Sequence, residues 1–92
     1  MKTGAKLTII GTVQGVFFRN FVKEEADKAG LKGFVRNLED GNTEVVVEGE
    51  GDRIKELIGK CREGPAHSII KNVKVEEMKW GGDFKDFRVL RF

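Results

Sequence analysis

Ninety-two residues with a formal net charge of +2, from 17 Lys plus Arg against 15 Asp plus Glu, suit one small domain over 1–92 and leave no room for a second. The basic residues are spread along the chain rather than gathered in runs, which argues against general nucleic-acid binding. The longest apolar stretch near the N-terminus is too short for a signal peptide or membrane span, and the single Cys cannot close an internal disulfide. A cytoplasmic protein without membrane contact is the expectation.

In chain order, "KLTII" (6–10) is β-branched and apolar enough for a strand that ends at Gly11. "GTVQGVFFRN" (11–20) then sets Gly11 and Gly15 in an apolar loop followed by Arg19. It lacks the Lys and Ser/Thr of a Walker-type loop and the three-glycine spacing of a dinucleotide fingerprint. Phe18, Phe21, Val22, Ala26 and Ala29 form a helical stripe with Gly30 at the C-cap, so a helix over about 19–29 is predicted. "KGFVRNL" (32–38) reads as a strand, Asp40 and Gly41 favour a tight hairpin, and "TEVVVEG" (43–49) alternates as the returning strand. Asp52 is predicted to cap a second helix whose buried stripe is Ile54, Leu57, Ile58 and Cys61, stopped by Gly64 and Pro65. A strand over about 70–78 follows, and "DFRVLRF" (86–92) supplies the last.

This order predicts an α+β, ferredoxin-like βαββαβ sandwich with a mixed, mainly antiparallel five-stranded sheet covered on one face by two helices. A right-handed crossover through the first helix makes strands one and two parallel, with strand three between them. Their C-terminal ends then share one edge of the sheet. The loop leading to Arg19 leaves from one of those ends, and Asn37 closes the other, so the two residues are expected to face one small site.

A glycine-containing turn running into a helix start aims several backbone N–H groups one way, and the helix dipole adds partial positive charge. Arg19 adds a permanent charge and a planar fork suited to two oxygens of a phosphoryl group. Val16, Phe17 and Phe18 are expected to keep the surroundings dry. The plainer alternative is that the glycines only turn the chain and Arg19 is a solvated helix-start residue.

Taken together, "GTVQGVFFR", "GLKGFVRNLEDGNTEVVVEG" and the later "GP" closely resemble the acylphosphatase family over nearly the whole chain. The signature joins the loop and its Arg to an Asn on the second strand, a DG turn and a glycine closing the third strand. The resemblance implies hydrolysis of the carboxyl–phosphate bond of small acyl phosphates, releasing a carboxylate and inorganic phosphate. By matching positions it assigns phosphate binding to Arg19 with the loop Gln14, Gly15, Val16, Phe17 and Phe18, and water orientation to Asn37. No residue matches a family base, so a substrate phosphate oxygen is expected to take the water's proton. No metal or other cofactor is implied, and a monomer is expected. Phe34 stands where the family often has Trp, and "GPAHSII" replaces its usual small-residue segment.

Two other readings compete. A catalytically inactive ferredoxin-like module could bind a small anion or a protein. "KGF" at 32–34 begins like an RNA-recognition segment, but Val35 breaks the pattern and the stacking aromatics are missing. Among single residues, Cys61 is expected to pack in the core, His67 to lie in a surface loop, and Glu24 and Glu25 to sit on a solvated helix face. Asp40 is explained by the turn, and Trp80, Phe84, Phe87 and Phe92 by core or edge packing.

Overall fold

The computed structural model describes residues 1–12, 15–66 and 68–90. Its elements run β1 (Lys2–Thr12), α1 (Gly15–Lys28), β2 (Lys32–Asn37), β3 (Thr43–Glu50), α2 (Gly51–Glu63), β4 (Ile69–Met78) and β5 (Phe87–Val89). The sheet order is β4-β1-β3-β2-β5. β3 pairs antiparallel with both β1 and β2, so β1 and β2 are parallel with β3 between them, and β5 joins β2 in parallel. This is the ferredoxin-like architecture expected from the sequence.

Alternation along the strands puts one face of the sheet under both helices. Ala5, Leu7 and Ile9 of β1, Val35 of β2, Val45 and Val47 of β3, Val73 of β4 and Phe87 of β5 pack there with Phe18, Val22 and Ala26 of α1 and Ile54, Leu57 and Cys61 of α2. The opposite face is mixed, carrying Lys6, Arg36, Glu44 and Glu48 beside Phe34 and Val46. Glu44 lies on it, nearly buried, between Lys6 at 3.4 Å and Arg36 at 2.8 Å.

Several boundaries differ from the sequence expectation, each for a tertiary reason. β1 runs from Lys2 rather than Lys6 because Gly4 and Ala5 pair with Glu48 and Val47 on one side and with Met78 and Glu77 on the other. It also continues past Gly11, where the register against β4 shifts. Gly11 is required there: at φ 149°, a Cβ would run into the Ile69 carbonyl.

α1 begins at Gly15, well before Arg19, so the residues read as loop form its first turn. Its C-terminus is a Schellman motif: Gly30 (φ 69°) donates to Asp27 O and Leu31 to Ala26 O. Asp52 does not cap α2. The N-cap is Glu50, which makes no side-chain cap bond, and the Gly51 N–H instead donates to Met1 O at 3.0 Å. Asp52 sits one step inside the first turn, where its charge meets the positive end of the helix. Gly64 ends α2 as expected, its N–H bonded to Lys60 O.

Candidate active site

The site begins with a hairpin. Leu38 and Asn42 are paired through Leu38 N–H to Asn42 O at 2.7 Å, and Gly41 donates back to Leu38 O. Asp40 caps the turn by accepting from the Asn42 N–H at 2.9 Å, and Gly41 at φ 90° completes it. This turn fixes the pairing of Asn37, the last residue of β2, with Thr43, the first of β3. Thr43 also lies opposite Ile9 near the end of β1, so the ends of β1 and β2 meet across it.

Gly33, Val35 and Asn37 alternate onto the helix-covered face of β2. Asn37 is half-buried there, its Oδ1 accepting from the Thr43 hydroxyl at 3.3 Å.

Arg19 approaches this end from the helix layer. Phe18, Val22 and Ala26 anchor α1 to the sheet, which turns Arg19, Lys23 and Asp27 along the flank facing β5. Arg19 Nη1 donates to Leu90 O at 3.2 Å, and Lys23 Nζ donates to Phe87 O at 3.0 Å. Leu90 is held in turn by its own N–H on Val35 O at 2.9 Å, one step past the pair Val35↔Val89. Asn37 lies two residues past Val35 on the same strand. Arg19 and Asn37 therefore approach the same end and the same face of the sheet.

The loop residues divide. Gly15, Val16, Phe17 and Phe18 form the first turn of α1, whose leading N–H groups lack intrahelical acceptors, while Gln14 lies outside the described residues. The two phenylalanines expected to keep the surroundings dry sit in different environments. Phe18 is fully buried in the core, and Phe17 is 76% exposed because its helical position points away from the sheet. Phe17 instead lines a cavity of about 610 Å³ with Phe21, Glu24 and Pro65. That groove lies on the flank of α1 away from Arg19.

Among the other singled-out residues, Cys61 is fully buried and its thiol is pushed up to about 12 by burial, with a smaller contribution from the charge of Glu25. It is a packing residue. Phe34 and Phe84 meet edge-to-face at 6.0 Å, Phe87 is buried, and Trp80 is half-exposed with the Lys2 ammonium 5.1 Å from its ring. His67 and Phe92 lie outside the described residues. Among the described residues there is no group of three or more His, Cys, Asp or Glu placed to hold a metal ion, and no helix is long and apolar enough to cross a membrane.

Sequence reasoning missed two partners at this end of the sheet. The Leu90 carbonyl is remote in sequence from Arg19 and carried no signal. Thr43 was accessible in principle, since a hairpin centred on Asp40 and Gly41 sets it opposite Asn37.

The acylphosphatase family model matches residues 5–89. The chain belongs to the acylphosphatase family. It is 44% identical over 84 residues to an acylphosphatase of Rubrobacter xylanophilus, covering 91% of this chain and 76% of that one. The solved acylphosphatase of Coxiella burnetii superposes with a TM-score of 0.90 at 42% identity, covering 97% of this chain and 93% of that one. The one from Bacillus subtilis does so at 0.91 and 31%, covering 99% and 100%. This acylphosphatase-family chain is accordingly a hydrolase.

Proposed function

We propose that this enzyme cleaves small acyl phosphates by metal-free, in-line attack of water, with Arg19 and the first-turn N–H groups of α1 gripping the phosphoryl group and Asn37 orienting the water. The observation that carries the reading is the shared position of Arg19 and Asn37 at one end and one face of the sheet.

Charge spreads over the equatorial oxygens of a transferring phosphoryl group, so catalysis consists chiefly of positioning and electrostatic stabilisation. The guanidinium supplies a fixed charge, and its bond to Leu90 O holds one arm of the fork in place. The start of α1 supplies N–H donors and the positive end of the dipole. The Asn37 carboxamide, fixed at the strand end, can hold a water in line with the leaving oxygen. A phosphate oxygen accepts the water's proton, and the leaving carboxylate is weakly basic enough to depart without a general acid.

Initial-rate hydrolysis of benzoyl phosphate by the wild type and Arg19→Gln tests this. Losing one donor to a developing oxyanion costs ~3 kcal/mol, and Arg19 supplies charge as well, so turnover should fall at least ~10²-fold. Wild-type turnover in the variant would refute the role of Arg19. Added chelator should leave the rate unchanged, and loss of turnover in chelator would show a metal at work.

A further inference from the structure

We propose that Thr43 is the positioning residue for Asn37: its hydroxyl holds the carboxamide oxygen and so decides which arm of the amide meets the attacking water. The inference rests on the water-orienting role given to Asn37 above.

β3 presents Thr43, Val45 and Val47 to the helices, and the two valines are sealed at 0% and 1% exposure. A third valine would extend that stripe, yet position 43, also 0% exposed, carries a hydroxyl. A hydroxyl so deeply buried is unfavourable unless bonded. Here it donates to Asn37 Oδ1 at 3.3 Å. The bond runs straight across a cross-strand pair, and its donor also lies opposite Ile9 of β1, so the hydroxyl stands between the two strand ends that carry the site. The β-branched side chain is stiff at χ1, and the Asp40–Gly41 turn fixes the register.

An amide bonded through its oxygen turns its other arm, the Nδ2 donor, away from β3. A donor that binds the water's oxygen leaves both water protons for the phosphate oxygens, one of which takes a proton during attack. The flipped amide would present an oxygen that competes for those protons. The Thr43 bond disfavours that arrangement.

The test is steady-state kinetics on benzoyl phosphate for wild type, Thr43→Val, Thr43→Ser, Asn37→Ala and the Asn37→Ala/Thr43→Val double variant, with thermal melts to establish folding. Thr43→Val should lower kcat about three- to ten-fold, the worth of one neutral hydrogen bond, while KM and the inhibition constant of inorganic phosphate change less than about two-fold. Thr43→Ser should retain most of the rate, and Thr43→Val should add nothing in the Asn37→Ala background. Should the valine variant not fold, Thr43→Cys, of similar volume and a much weaker donor, serves in its place. Wild-type kcat in Thr43→Val, a serine variant as slow as the valine one, or equal losses in both backgrounds would overturn the proposal. If Asn37→Ala is slow while Thr43→Val is not, only the positioning inference fails. If Asn37→Ala keeps wild-type kcat, the water-orienting role fails and this inference with it.

Discussion

The two helices are of similar length and lie on the same face of the sheet, but they begin in opposite electrostatic settings. α2 starts under the β1 terminus: its first N–H is bonded to Met1 O, and Asp52 places a carboxylate in its first turn. Its positive end is answered by the chain itself. α1 has no acidic residue in its first turn, and the next residue along is Arg19. The first turn of α1 thus brings no carboxylate of its own to the positive end of the helix, which suits an external anion at α1 and a structural role at α2.

The sharpest way to break the contrast is to make α1 resemble α2. Phe17 is largely exposed, so Phe17→Glu adds a carboxylate to the first turn without disturbing the core. Repulsion between that carboxylate and a bound phosphoryl group is on the order of 1–2 kcal/mol, so kcat/KM on benzoyl phosphate should fall about ten-fold. The same charge should leave the thermal midpoint unchanged or raise it, because an acid is favourable at a helix start. An activity loss accompanied by a lowered midpoint would point to damaged packing instead.

Cys61 gives a second test, this time of the α2 side. Its folded thiol is raised to about 12 from an ordinary 9.0, so above pH 9 the unfolded chain releases a proton that the folded one keeps. The unfolded state then binds fewer protons, and stability falls as pH rises between about 9 and 12, with a limiting slope of on the order of 1 kcal/mol per pH unit. Urea unfolding of wild type and Cys61→Ala across that range should show the steeper decline in the wild type. Parallel declines would mean that the thiol is not protected.

The smallest effect is expected at Asp52. Asp52→Asn should lower stability by about 0.3–1 kcal/mol and leave turnover untouched, since the charge serves the helix and not the substrate. A kinetic effect there would undo the division between the two helix starts.

Periodicity carried the elements well because most strands and both helices bury one face: the stripes through Phe18, Val22 and Ala26 and through Ile54, Leu57 and Cys61 are spaced as the sequence indicated. Ends depended on partners that local patterns do not contain. The extension of β1 to Lys2 is created by neighbours on both sides, and α2 is capped by a carbonyl from the other end of the first strand rather than by Asp52. In the sequence, Gly11 and Gly15 in an apolar stretch read as a loop up to Arg19. The structure makes Gly15 the first helical residue. At the site, the Arg and Asn could be named from the sequence, whereas the Leu90 carbonyl beside Arg19 could not.

The contrast between the helix starts is tested most directly by titrating inorganic phosphate into 15N-labelled protein and following the amide resonances. Shifts are expected at residues 15–19 and at the Asn37 side-chain amide, with residues 51–53 at the start of α2 unmoved. Shifts at α2, or none at α1, would contradict the account.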